Sequence, residues 1–318
     1  MKKTPVAVIG FVRRDVLDET LRHLAEAETV LDRDIFVYLS APRHAEEKIK
    51  TDAVLELVRQ YQAASLPNII IIQRDKNEGA GKNISFAISE TLKKTGRAII
   101  IEDDILVSKT FLRYMDEALE YYADDKRIWC VNGYQNAHLK MPKSYPYDVY
   151  FNPRNMAWGW GCWRDRWDAV DQDVRDWAEF KKDAKKMARL NEAGCDMAGM
   201  LESAFRHGID TWDVQCSYHM VKNGLYAVEP RRSLTKNNGF CRVGSVHCSR
   251  PHGMYQKQKY YNDSPRLQPL DVCLPKQTAI SCQFRDTVHE SRRLRFYWRC
   301  VMRVLRWLIG PQNNNPCD

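Results

Sequence analysis

Short aliphatic blocks alternate with segments of helical period through the first third of the chain, the pattern of successive βαβ units. Val6 to Phe11 predicts a first strand, and Val16 to Ala27 follows with Leu17, Leu21, Leu24 and Ala25 at helical spacing. Asp34-Ile35-Phe36-Val37-Tyr38-Leu39 predicts a second strand, stopped by Ser40-Ala41-Pro42, and a polar helix is expected from about Glu46 to Gln62. Ile69-Ile70-Ile71-Ile72 is a third strand, and a helix from about Ile84 to Lys94 returns the chain to Ala98-Ile99-Ile100-Ile101. That fourth block runs straight into Glu102-Asp103-Asp104. An apolar run of this kind reads as a buried strand of a parallel sheet, and the carboxyl ends of such strands are where open α/β sheets place their ligands.

Three adjacent carboxylates repel one another unless a cation or hydrogen-bond donors offset them. Their position therefore points to a divalent metal on oxygen ligands, against the plainer reading of an acidic turn that stops the strand. Two phosphate motifs are excluded nearby. Gly79-Ala80-Gly81-Lys82 resembles the end of a P-loop, but the first glycine would fall at Lys76 and Asn83 stands where Ser or Thr is needed. The dinucleotide Gly-x-Gly-x-x-Gly is missing after the first strand, where Gly10 stands alone. The loop can still offer backbone N–H groups to a phosphate or a base edge, which makes Lys82 and Asn83 candidate donor contacts together with Arg13 after the first strand.

Ser108 to Tyr122 predicts a helix with Phe111, Met115, Leu119 and Tyr122 on one face, and Ile128 to Gly133 another strand. The middle of the chain then changes character, with four of its nine tryptophans packed into Arg154 to Trp167 beside Gly159 and Gly161. Glycine fills no volume and indole needs a partner for its N–H, so this run suits a surface that stacks on sugars better than it suits a core. A second helical region is expected from about Trp177 to His207 and a helix from about Gln215 to Asn223. Asp213 precedes that helix as either a cap or a catalytic acid. Val228-Glu229-Pro230 predicts a last short strand, leading into a loop from Ser233 to His252 that contains His247, a surface histidine or a ligand.

These residues together resemble the glycosyltransferases of the A-type (GT-A) fold, in particular bacterial family 2-like enzymes and the inverting N-acetylglucosaminyltransferase I group. The resemblance runs from about Val6 to Cys248. It is carried by Ile101-Glu102-Asp103-Asp104 with Phe111-Leu112-Arg113-Tyr114-Met115 behind it, by Ala157 to Trp167, and by Thr211-Trp212-Asp213 followed by Leu234-Thr235-Lys236-Asn237-Asn238-Gly239 and His247. It implies an α/β fold with a Rossmann-like mixed sheet flanked by helices. It also implies Glu102 and Asp103 near the nucleoside, Asp104 and His247 on Mn²⁺ or Mg²⁺, Gly159, Trp160 and Gly161 lining donor and acceptor, and Asp213 as general base. The activity implied is transfer of a sugar, with inversion, from a nucleotide-sugar donor, a UDP-sugar first, to a hydroxyl of a glycan or lipid-linked glycan in cell-surface polysaccharide synthesis. One departure is plain: relatives often place an Asp after strand two to hold uracil, and Ser40-Ala41-Pro42 stands there instead.

Composition narrows the alternatives. The chain has 318 residues, 44% hydrophobic and 28% charged, enough for one main catalytic domain over 1–275, with a nucleotide half to about 133 and an acceptor half beyond it. Residues 276–318 form a basic extension in which Arg292, Arg293, Arg295, Arg299, Arg303 and Arg306 interleave with Phe296, Tyr297, Trp298, Leu305 and Trp307. That is an amphipathic helix suited to an anionic membrane interface or to packing on the domain. A net charge of +8 favours an anionic partner, and no apolar run approaches the roughly 20 residues that span a bilayer, so the expected location is cytoplasmic, with the helix docking on the inner membrane face. The ten cysteines include no Cys-x-x-Cys pair, and Cys241, His247, Cys248 and His252 match no common zinc spacing, so reduced thiols are expected. Two rivals remain: a sugar nucleotidyltransferase, which releases pyrophosphate, and a non-catalytic carbohydrate or nucleic-acid binder, which has no need of the acidic triplet.

Overall fold

A computed structural model describes residues 3–137, 139–208, 210–239 and 258–286. The aliphatic blocks form β1 (Val6–Gly10), β2 (Ile35–Leu39), β3 (Ile69–Gln73) and β4 (Arg97–Glu102), joined by α1 (Arg14–Ala25), α2 (Ala45–Ala64) and α3 (Ala80–Thr95). After β4 come β5 (Ile105–Val107), α4 (Phe111–Tyr121), β6 (Ile128–Asn132), β7 (Val149–Asn152) and β8 (Trp160–Trp163). Five helices follow: α5 (Arg164–Trp167), α6 (Trp177–Phe180), α7 (Ala184–Glu192), α8 (Met197–His207) and α9 (Asp213–Asn223). The chain ends its described course through β9 (Tyr226–Pro230), β10 (Thr235–Asn237), α10 (Leu270–Cys273) and α11 (Thr278–Asp286).

Eight strands make one mixed sheet in the order β3-β2-β1-β4-β8-β6-β9-β7, and β5 pairs with β10 in a second, small sheet. The strands β1 to β4 are mutually parallel, β8 runs antiparallel between β4 and β6, and β9 is parallel to β6. Six strands therefore share one carboxyl edge, where Gly10, Glu102 and Asn132 end β1, β4 and β6. The expected Rossmann-like mixed sheet flanked by helices is present.

Strand periodicity divides the core in two. Val6, Val8, Ile99 and Ile101 pack with Leu17, Leu21, Val54, Leu57, Phe111 and Met115 from α1, α2 and α4. Ala7, Ile9, Ala98 and Ile100 face Ile84, Ile88, Leu92, Cys216 and Met220 from α3 and α9.

The tryptophan run packs inside, with Trp160 and Trp167 in this second core, Trp163 in the first and half-buried Trp158 against the first, which corrects the expectation of a sugar-stacking surface. Trp160 is fully buried and lies between Trp129 and Trp212, with ring centroids 5.6 and 5.4 Å away and interplanar angles of 14° and 19°. Gly159 and Gly161 are buried too, and their small size serves packing: a Cβ on Gly161 would come 2.8 Å from the Ala98 carbonyl oxygen, and one on Gly159 2.8 Å from Thr235 Cγ2. Indole N–H groups find partners inside, Trp163 Nε1 on the Leu119 carbonyl and Trp167 Nε1 on Ser89 Oγ. Trp160 Nε1 has none among the described residues.

No helix among the described residues is long and apolar enough to cross a membrane. The basic amphipathic segment expected after residue 286, like His247 and the Cys241–His252 cluster, lies outside the described residues.

Candidate active site

The site is built where β4 ends. Asp103 and Asp104 form the turn from β4 into β5, and β5 pairs antiparallel with β10 in a register that sets Asn237 opposite Ile105. This brings a segment more than 130 residues distant in sequence against the acids: Asn238 donates its backbone N–H to the Asp104 carbonyl at 2.7 Å, and Asn237 Nδ2 lies 3.5 Å from Asp104 Oδ1. Gly239 faces Asp104 Oδ2, and a Cβ there would collide with it.

From the other side, α1 and the loop before it close on the same turn. Thr20 donates its hydroxyl to the Asp103 carbonyl at 2.7 Å. Arg13 reaches across from the end of β1, with Nε 3.1 Å from Asp103 Oδ2 and Nη2 on both Asp103 Oδ1 and Asp104 Oδ2, the latter at 3.0 Å. Asp103 is thereby a held, interior group. Burial raises its carboxyl, Arg13 opposes that, Asp104 adds to it, and the balance is pushed up to about 6.

Glu102 differs. Its side chain has no hydrogen-bond partner among the described residues, and burial, with Asp104, Asp103 and Asp213 around it, pushes it well above the usual carboxylate range. Asp213 begins α9, on the far side of the cleft, and its carboxylate also accepts no hydrogen bond among the described residues. Its place is a helix N-terminus, where a negative charge is favoured, but it makes no side-chain cap. Two acids from different halves of the chain thus influence one another electrostatically, each without a hydrogen-bond donor on its carboxyl among the described residues.

The loop opening α3 is not free to receive a phosphate as it stands. Asp210 Oδ2 accepts the Gly81 N–H at 2.8 Å, and a Cβ on Gly79 or Gly81 would strike its carboxylate. Asn83 is also committed, accepting Arg74 and the Glu78 N–H and donating to Asn77 Oδ1 at 3.0 Å. Asn83 thus braces its own loop, and Lys82 is exposed in the first turn of α3.

The donor set suits a hard divalent cation, since Asp104 and Glu102 are neighbouring carboxylates at the end of β4 and the Glu102 carboxyl has no hydrogen-bond partner among the described residues. Mg²⁺ and Mn²⁺ are commonly held by one or two carboxylates together with a substrate's own phosphates. Among the described residues no group of three His, Cys, Asp or Glu side chains converges to make a complete protein cage.

Sequence reasoning found the acids but not Thr20 or Asn237 Nδ2 as their partners, nor Asp210 as the acceptor of the Gly81 N–H, because only tertiary pairing brings those groups in. It also passed over Glu229, a charged residue inside an apolar strand, which is itself a signal. Glu229 is fully buried within β9 and accepts from Tyr150 Oη, from Asn152 Nδ2 at 2.9 Å and from Asn132 Nδ2 at 3.3 Å.

No family model matches the chain, and no curated protein sequence matches it. Among solved structures it is similar to residues 1–349 of S. aureus TarS, at 12% identity and a TM-score of 0.41 over 74% of this chain and 60% of that one. The same TarS fragment in complex with UDP aligns at 16% identity and a TM-score of 0.36, over 59% of this chain and 54% of that one. The mannosyltransferase PcManGT from Pyrobaculum calidifontis, in complex with GDP-Man and Mn²⁺, aligns at 14% identity and a TM-score of 0.40, over 70% of this chain and 74% of that one. The chain spans about 60% of the length of the first of these.

Proposed function

We propose that this protein is a glycosyltransferase that moves a sugar from a nucleotide-sugar donor to a hydroxyl of a glycan or lipid-linked glycan, with inversion. The observation that supports the reading is the electrostatic influence of Asp104, Asp103 and Asp213, the last from the start of α9, on Glu102 at the carboxyl end of β4. One group of acids sits where a diphosphate and its cation belong, and a separate acid faces it from the other half.

Asp104 and Glu102 would hold the divalent cation, with His247 a further candidate from the sequence. When bound, Mn²⁺ or Mg²⁺ supplies Lewis-acid stabilisation of the negative charge that builds on the departing diphosphate. The rest belongs to side chains. Asp213 takes the proton of the acceptor hydroxyl as that oxygen attacks the anomeric carbon from the face opposite the diphosphate, which is the general-base half of an inverting displacement. Asp103 is fixed by Arg13 and Thr20 and sets the turn that aims Asp104. The halves 1–133 and 134–275 divide the work accordingly, donor to the first and acceptor to the second.

The test is product analysis with UDP- and GDP-hexoses, the carriers seen with TarS and PcManGT, and simple glycan acceptors. Release of a nucleoside diphosphate that needs a divalent ion and falls in Asp213→Asn is expected. Release of pyrophosphate from a nucleoside triphosphate and a sugar 1-phosphate would instead identify a nucleotidyltransferase.

A further inference from the structure

Arg13 is placed oddly for a structural ion pair. Arg33 shows what such a pair looks like here: it is fully buried, with Nη1 on the Thr4 carbonyl at 2.9 Å, Nε on the Thr29 carbonyl at 3.2 Å and Nη2 on Asp116 Oδ2 at 2.9 Å. Every nitrogen of that guanidinium has a partner. The Arg13 side chain is 20% exposed at the carboxyl edge of the sheet, and its Nη1 makes no hydrogen bond among the described residues. Its Nη2 meanwhile occupies Asp104 Oδ2, the oxygen packed against Gly239. The other oxygen, Oδ1, is approached by Asn237 Nδ2. A divalent cation approaching Asp104 meets a positive charge already in contact with its Oδ2.

The geometry points to Arg13 as an internal cation that guards Asp104 and is exchanged for the metal when a diphosphate arrives. The inference rests on the nucleotide-sugar reading above and concerns how that site is switched on. A guanidinium binds phosphate oxygens in a fork. Its unpaired Nη1 is the first handle for one, and drawing Nη2 after it releases Asp104 Oδ2. Nucleotide and cation then bind cooperatively, each raising the affinity of the other by the same factor, with typical couplings of about 5- to 150-fold. Asp103 retains its turn through Thr20 during the exchange, so the acids keep their positions while the counter-charge changes.

The experiment titrates Mn²⁺ alone into the full chain, followed by electron paramagnetic resonance of the free ion, and repeats it with saturating UDP or GDP. Wild type is expected to bind Mn²⁺ weakly alone and about tenfold or more tightly with nucleotide. Arg13→Gln should bind Mn²⁺ alone about tenfold more tightly than wild type, Arg13→Lys should fall between them, and Arg13→Gln combined with Asp104→Asn should lose the gain. Wild type binding Mn²⁺ equally well with and without a nucleotide that does bind would overturn the guard without touching the variants. Nucleotide-tightened binding in wild type with no gain in Arg13→Gln or Arg13→Lys would also overturn it, while leaving the glycosyltransferase reading intact. A gain in Arg13→Gln with no nucleotide binding to any form would uphold the guard over Asp104 and remove the donor assignment instead.

Discussion

Glu102 and Glu229 are both glutamates near the carboxyl ends of strands in the same sheet, and burial is the first cause raising each, yet their surroundings are opposite. Glu229 is met by three donors, Tyr150 Oη, Asn152 Nδ2 and Asn132 Nδ2, and sits at about 7. Glu102 has no donor among the described residues and is surrounded by Asp103, Asp104 and Asp213, which drive it further up. A buried polar group that is fully hydrogen-bonded holds structure together, whereas one left among like charges costs free energy that a proton or a bound cation relieves. The interior around β6, β7 and β9 is finished by the protein itself; the cleft at the end of β4 is not.

The largest expected effect breaks the cleft. Asp213→Asn should lower kcat by about 10²- to 10⁴-fold with little change in the donor KM, because only proton abstraction is removed. If donor KM rises while kcat holds, Asp213 is a binding group and the assignment of a base fails. Next comes the interior. Trp160→Ala should lower stability by about 3–5 kcal/mol, read by denaturant unfolding, since it empties the stack between Trp129 and Trp212. An unchanged unfolding midpoint together with weakened glycan binding would restore the tryptophan run as a sugar surface.

A smaller effect sharpens the contrast between the two glutamates. Because the folded value of Glu229, about 7, lies above its usual 4.5, its contribution to stability is full below about pH 4.5 and is lost as pH rises through 7. Glu229→Gln keeps the shape and can still accept from both asparagines, so its melting temperature relative to wild type should be higher at pH 8 than at pH 5 by a few degrees. Equal differences at both pH values would mean that Glu229 is ionised throughout. Smallest is Asp210→Ala, which removes the acceptor of the Gly81 N–H and should cost about 1 kcal/mol.

The parts of the molecule that were legible in the sequence are those written in contiguous residues. β1 to β4 appear as aliphatic blocks, and the site announces itself because three acids follow one of them. β5 and β10 are three residues each and gain meaning only by pairing with one another. β8 was hidden because Gly159, Trp160 and Gly161 look wrong for a core until Trp129 and Trp212, far away in the chain, supply the stack, and until Ala98 and Thr235 show why no side chain fits beside them. Arg13 was picked out as a basic residue near a ligand. That its partners are Asp103 and Asp104 depends on the closeness of β1 and β4, which no local pattern records.

The central claim, that the acids ending β4 form a cation-dependent nucleotide site, is tested most directly by calorimetric titration of UDP and GDP with and without Mn²⁺ into wild type, Asp104→Asn and Glu229→Gln. The account predicts binding of at least one nucleotide that needs Mn²⁺, persists in Glu229→Gln and is lost in Asp104→Asn. Binding that is indifferent to Mn²⁺ and to Asp104, or that is lost equally in both variants, would contradict it.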